Sequence, residues 1–199
     1  MKHLIAATIL LPSLLFAAAP GDMQPGKWVQ ISTNTVSDVQ HTPFAGGSAF
    51  RQIMDAWSGG AFATTLGSRG SLIIHGGGHG DYLGNELYAF DVAAGTWSKL
   101  YSPGSSCDLL TSTMNSPANA PCASHTYDLL EFAQTTNEFF KIGATSDAGT
   151  TLGTSRVKAY NVLTGAWRTG TSIPGQNTLP DDDMESGSTA WDSTRSLIW

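Results

Sequence analysis

The feature that most constrains the fold is a nine-residue pattern that occurs twice. Residues 89–97 read AFDVAAGTW and residues 159–167 read AYNVLTGAW, so an aromatic residue, Asp or Asn, Val, Gly and Trp recur at one spacing. In each copy the aromatic residue suits a core, the Asp or Asn caps a turn, the glycine permits the turn, and the tryptophan packs on the next strand. The pattern therefore predicts an internal repeat of one supersecondary unit.

The residues around the first copy predict three strands. Leu72–His75 is a short apolar run that stops at Gly76–Gly78, where the backbone is free to turn. Residues 86–91 alternate, and residues 96–100 return as a third strand after a tight turn. The alternation places Leu87 and Ala89 on one face and Tyr88 and Phe90 on the other.

These residues resemble the Kelch repeat, in which one repeat forms one four-stranded blade of a β-propeller. The resemblance is carried by Gly76, Gly77, Phe90, Asp91, Gly95 and Trp97 in the first copy and by Tyr160, Asn161, Gly165 and Trp167 in the second. The second copy has Ile142-Gly143-Ala144 where the first has its glycines. The resemblance implies an all-β, Kelch-type β-propeller, and it is nearly silent on function because propellers host many functions.

The predicted domain is a partial propeller over residues 27–199. Blade one covers about 58–100, blade two about 124–170, and a third blade starts at about 186–199. Residues 27–31 resemble the fourth strand of blade one and are predicted as the N-terminal strand that closes the last blade. Because a propeller needs about four blades or more, we expect the sequence to be the N-terminal fragment of a longer product.

Residues 1–19 have the layout of a secretory signal peptide. Lys2 and His3 precede the mostly apolar run Leu4–Phe16, and Ala17–Ala19 offers a cleavage site. The apolar run is too short to span a bilayer comfortably. The expected location is secreted or periplasmic, with no membrane span after cleavage, and an uncleaved N-terminal anchor is the alternative.

The overall composition is that of a globular, β-rich protein. Charged residues make up 13% of the chain, hydrophobic residues 41%, and the formal net charge is −6. An acidic protein without a basic run lacks the electrostatic footprint of nucleic-acid binding. We therefore expect no nucleic-acid partner.

Two cysteines, Cys107 and Cys122, lie in one polar stretch between the repeats. In an exported protein this arrangement favours a disulfide, which would stabilise the fold by about 3 kcal/mol. Two free buried thiols are the alternative.

The glycine-rich connection after Leu72–His75 holds the most unusual group of polar residues. Its candidate ligand-binding residues are His75, His79, Asp81 and Tyr82, since imidazole and carboxylate suit metal binding or acid–base work. The alternative is structural: the glycines make the turn, and His79 and Asp81 hydrogen-bond the loop backbone. Three glycines separate the two histidines, so nothing in the sequence aims both at one point.

A second polar group lies in the loop before the third repeat. Asp181, Asp182, Asp183 and Glu185 are weak candidates for a Ca²⁺ site, because hard cations bind clustered carboxylates. The spacing is not that of an EF-hand, and a solvated acidic loop is the alternative. The cofactor, if any, is unknown from the sequence.

The function expected from these features is non-catalytic. An exported propeller that binds a protein or glycan through its loop-rich face fits the blade pattern, and no catalytic residues are assigned. The alternative is an exported copper-dependent carbohydrate or alcohol oxidase of the galactose-oxidase type. That family holds copper with two His and two Tyr and has a Tyr–Cys crosslink, and no such set can be carried over to this chain.

Overall fold

The computed structural model describes residues 23–40, 52–55, 58–76, 84–102, 120–121, 123–142, 157–168 and 187–199, and this part of the chain is mostly β. The strands are β1 Gly59–Ala63, β2 Ser71–His75, β3 Leu87–Asp91, β4 Thr96–Tyr101, β5 Leu130–Ala133, β6 Glu138–Ile142, β7 Val157–Asn161, β8 Ala166–Trp167, β9 Trp191–Asp192 and β10 Leu197–Ile198. A 3₁₀ turn at Val36–Val39 and a four-residue helix, α1 Gln52–Asp55, complete the described elements.

The strands form three antiparallel units in chain order. The first sheet has the order β1-β2-β3-β4, the second has the order β5-β6-β7-β8, and β9 pairs with β10. Each described strand pairs with its neighbour in the sequence, as expected when short turns join antiparallel strands. The predicted all-β class is confirmed.

The two copies of the repeat make the same turn. Asp91 Oδ1 accepts hydrogen bonds from the backbone N–H groups two and three positions later, at 2.7 and 2.8 Å, and Asn161 Oδ1 does the same at 3.0 Å. Gly95 and Gly165 follow at φ values of +64° and +68°, where a side chain would strain the backbone. The predicted roles of all four residues are confirmed.

The two repeat tryptophans also occupy matching places. Trp97 pairs with Phe90 across β3 and β4, and Trp167 pairs with Tyr160 across β7 and β8. Residues that are directly opposite across two strands lie on the same face of the sheet. Each tryptophan therefore shares a face with the aromatic residue of its own repeat.

The main core lies between the two four-stranded sheets. The first sheet contributes one face, on which Leu87 and Ala89 lie as the alternation predicts, while Tyr88 belongs to a separate cluster on the other face. The second sheet contributes the face that carries its aromatic residue and its tryptophan. The buried residues of this inter-sheet core are Ala61, Ala63, Ile73, Leu87, Ala89, Ala120, Leu130, Phe132, Phe139, Tyr160 and Trp167.

The opposite face of the second sheet is covered by the β9–β10 hairpin. Phe140 and Ile142 of β6 lie in one cluster with Trp191 and Ile198 of the hairpin. The second sheet is therefore sandwiched, with the first sheet on its tryptophan-bearing face and the hairpin on the other.

The tryptophan-bearing face of the first sheet is less covered than its counterpart in the second. Phe62 pairs with Leu72 as Phe132 pairs with Phe139, so the two pairs are equivalent. Phe62 and Leu72 are 48% and 38% exposed, whereas Phe132 and Phe139 are 5% and 0% exposed. The first sheet thus presents apolar side chains at positions that the second sheet buries against its neighbour.

The strand predicted over residues 27–31 is not found. These residues are irregular, and Trp28 is fully exposed, because no described strand offers them hydrogen-bonding partners. The chain instead runs along the outer edge of the first sheet. There the Asn34 carboxamide accepts from Trp97 N–H at 2.7 Å and donates to Trp97 O at 2.9 Å. These two hydrogen bonds satisfy backbone groups of the edge strand β4 that would otherwise be open to pairing with another strand.

Several predicted features lie outside the described residues. They are the signal peptide of residues 1–19, the cysteines Cys107 and Cys122, the acidic group from Asp181 to Glu185, and Gly77 with His79, Asp81 and Tyr82. None of the helices within the described ranges is both long and apolar enough to cross a membrane.

Candidate functional site

A buried polar layer lies at one end of the two sheets. It is formed where β2 ends, where β3 begins, and in the stretch that leads into β5. Thr126 Oγ1 donates a hydrogen bond to His75 O at 2.8 Å. This bond joins the end of β2 to the stretch that leads into β5. We call residues 75–76, 84–86 and 123–129 the rim.

Gly76 allows the rim to close. Its φ is +135°, and an added Cβ would lie 2.6 Å from Thr126 Oγ1 and 2.9 Å from Ser58 Cα. No side chain fits that space without moving backbone. The prediction that glycine turns the chain after β2 is confirmed for Gly76.

His75 is enclosed between the two sheets. Its side chain is fully buried, and its ring centroid lies 6.2 Å from that of Trp167 in the second sheet. Nδ1 lies 3.1 Å from Glu86 O. Because a carbonyl oxygen only accepts hydrogen bonds, this contact requires the tautomer that carries its proton on Nδ1. Among the candidate residues of the glycine-rich connection, His75 alone lies in the described chain. Its contacts are those of a side chain buried in the core between the two sheets.

The stretch before β5 brings one aromatic side chain to the surface. Ser124, His125 and Thr126 are buried, whereas Tyr127 is exposed and has a φ of +43°. The rings of His125 and Tyr127 lie 5.8 Å apart, nearly edge to face. A bulky residue in the left-handed region is rare, and such strain concentrates at binding and active sites.

Two other parts of the chain hold this stretch in place. An added Cβ on Gly59 of β1 would lie only 1.7 Å from Tyr127 O, so the first sheet touches the rim backbone directly. On the other side, Thr189 donates to Asp128 O through N–H at 3.0 Å and through Oγ1 at 2.9 Å. The exposed Tyr127 is therefore carried on a fixed backbone.

Sequence reasoning missed Tyr127. Blade two was predicted to begin at about residue 124, but its first regular strand begins at Leu130. The left-handed turn that projects the ring has no glycine or asparagine to mark it. No pattern in the sequence separated this tyrosine from a core aromatic.

A buried lysine lies next to the rim. Lys141 on β6 is 2% exposed, and burial, followed by the neighbouring positive charge of Lys158, lowers its pKa from 10.5 to about 7. Burial also lowers the pKa of Lys158. The one available sequence signal was a lysine inside the apolar strand EFFKI, which was not singled out.

The sequence predicts two candidate metal-binding groups, one in the glycine-rich connection after β2 and one in the acidic loop before the third repeat. Within the described ranges no group of three His, Cys, Asp or Glu residues is placed to hold a metal ion. The acidic group Asp181–Glu185 and His79 with Asp81 lie outside those ranges, so the hypotheses about them stay predictions.

Comparison with protein-family models and with curated proteins finds no match. The geometry of the rim and of the stacked sheets therefore carries the functional argument.

Proposed function

We propose that this chain is part of an exported, Kelch-type β-propeller that binds a protein or glycan ligand through the rim. The propeller rests on one observation: two sheets of the same strand order and turn chemistry stack face to face, and a third unit begins on the far side. Radial stacking of repeated four-stranded sheets is the packing that a propeller uses. The signal-like residues 1–19 support export.

The partly exposed face of the first sheet supports the same proposal. Phe62 and Leu72 match Phe132 and Phe139 in register, and the second pair is buried against the preceding sheet. A further blade on the first sheet would bury Phe62 and Leu72 in the same way. Apolar side chains are retained at such positions when a neighbour covers them.

The rim is the surface best suited to a ligand. Loops carried on a rigid scaffold are where β proteins place their binding residues. Tyr127 offers an exposed ring with a hydroxyl group, and the buried polar residues Ser124, His125 and Thr126 lie immediately before it. An aromatic ring with one wet end is typical of residues that contact ligands.

The test is binding to immobilised panels of glycans and peptides, with Tyr127→Ala against Leu163→Ala. Leu163 is also exposed, but it lies in the β7–β8 turn, at the other end of the sheet. We expect Tyr127→Ala to weaken binding of any captured ligand by tenfold or more, about 1.4 kcal/mol. Leu163→Ala should leave binding unchanged. Equal effects of the two variants, or no ligand in either panel, would contradict a binding rim.

A further inference from the structure

We propose that residues 31–39, called the strap below, cover a surface on β4 at which two copies of this chain pair edge to edge. The partner of this surface is β4 of a second copy, joined by strand addition, and the strap competes with it. The inference goes beyond the proposed function, because it concerns the outer edge of the first sheet rather than the rim.

The strand β4 is an edge strand long enough to accept another strand. Within the first sheet it pairs with β3 alone among the described strands. It has six residues, whereas β8, the corresponding edge strand of the second sheet, has two. The unpaired N–H and C=O groups of an edge strand form a template for pairing with another chain.

The strap occupies the hydrogen-bonding positions that an added strand would use. The Asn34 carboxamide bonds both the N–H and the C=O group of Trp97, at 2.7 and 2.9 Å. Thr33 N–H donates to Gly95 O at 2.8 Å. Backbone groups two residues apart on an edge point in the same direction. The strap therefore fills two successive outward-facing positions, 95 and 97.

A small anchor holds the strap on the sheet. Val36 is 7% exposed and lies in one cluster with Ile74 of β2 and Tyr88 of β3. Thr35 N–H donates to Asp38 Oδ2 at 2.7 Å, which closes the turn around Val36. The two hydrogen bonds of Asn34 are separate from this anchor. Their loss should therefore uncover Trp97 without disturbing the sheet behind it.

The edge continues beyond the part that the strap covers. By the two-residue repeat, the backbone N–H and C=O groups of Lys99 face the same way as those of Trp97. The register then shifts at a bulge, and Tyr160 Oη donates to Leu100 O at 2.8 Å. Displacement of the strap would thus leave residues 95–99 as a continuous pairing surface.

The sequence of β4 is complementary to itself in one antiparallel register. A two-fold axis at Ser98 places Trp97 opposite Lys99 of the second copy. Both residues direct their N–H and C=O groups outwards, so the opposed pair can exchange two hydrogen bonds. The register also sets an ammonium group beside an indole ring rather than beside a like charge. A second copy of this chain is therefore the strand that fits, through an isologous contact.

The test is sedimentation equilibrium of the wild type, Asn34→Ala and Asn161→Ala over a range of protein concentrations. Asn161 is a matched control, because its side chain also makes two hydrogen bonds to backbone, but in the β7–β8 turn. We expect the Kd of dimerisation to be at least tenfold lower for Asn34→Ala than for the wild type. Asn161→Ala should behave as the wild type does.

Two further variants tie the dimer to the edge of β4. Asn34→Asp keeps an oxygen for Trp97 N–H but has no donor for Trp97 O, so its Kd should be intermediate. Lys99→Pro removes an outward N–H group that β3 does not use, since proline is tolerated where the N–H faces away from the sheet. Added to Asn34→Ala, it should abolish the dimer.

Amide hydrogen exchange at Trp97 provides a second measurement. Exchange should be faster in dilute Asn34→Ala than in the wild type, and it should slow again as the dimer forms. The proposal is overturned if Asn34→Ala and Asn34→Asp stay as monomeric as the wild type. It is also overturned if Asn161→Ala associates equally, or if the dimer of Asn34→Ala survives the addition of Lys99→Pro.

Discussion

Replacing Gly59 with alanine is expected to lower the free energy of unfolding by about 3 kcal/mol, at the upper end of what overpacking costs. The added Cβ would lie 1.7 Å from Tyr127 O and 2.9 Å from Tyr127 C. Both are backbone atoms, so relief requires the rim to move away from β1. That movement would weaken the contact between β1 of the first sheet and β5 of the second.

The measurement is urea denaturation followed by tryptophan fluorescence, with Gly165→Ala as the control. Gly165 has a φ of +68°, and the nearest atom to an added Cβ there is Tyr160 Oη at 3.8 Å. The control therefore carries backbone strain alone, about 1–2 kcal/mol. If Gly59→Ala costs no more than the control, the close approach of β1 to the rim is wrong.

Truncating Phe132 is expected to cost about 3–5 kcal/mol, whereas truncating Phe62 should cost less than about 1 kcal/mol. The two residues occupy equivalent positions, each opposite an apolar residue of the second strand of its sheet. Phe132 is 5% exposed in the inter-sheet core, and Phe62 is 48% exposed. Only Phe132→Ala leaves a cavity between packed sheets.

The same denaturation experiment compares the two alanine variants directly. The result also bears on the proposed propeller, because a further blade packed on the first sheet would bury Phe62. A loss of several kcal/mol at Phe62 in this 199-residue chain would mean that its face is covered by contacts outside the described residues. Equal small losses at both positions would contradict the core between the sheets.

The repeated elements could be predicted because their determinants are local. Alternation around Tyr88 and Phe90 identified β3, and Asp91 with Gly95 identified the turn, since both act within a few residues. The second copy was recognised through Asn161 and Gly165 for the same reason. Residues 27–31 form no strand with the described residues, because a strand also needs a partner, which local pattern does not supply; their predicted role in closing the last blade stays a prediction.

The rim could not be predicted because its members are brought together by packing. Thr126 meets His75 across 51 positions of sequence, and its hydrogen bond depends on how the two sheets stack. The left-handed backbone at Tyr127 is imposed by neighbours on both sides rather than by its own residue type. Lys141 looked like one polar residue in an apolar strand, and only the stacking of the sheets shows that it is buried.

The two sheets stack with the face of the first sheet that carries Leu87 and Ala89 against the tryptophan-bearing face of the second. The most direct test is a double-mutant cycle between Tyr101 of β4 and Trp167 of β8, whose ring centroids lie 6.1 Å apart at right angles. With leucine at each position, we predict a coupling of about 1 kcal/mol. The cycle that joins Tyr101 to Trp97, on the same strand, should give no coupling. Zero coupling between Tyr101 and Trp167, in variants that still fold, would contradict the stacking of the two sheets.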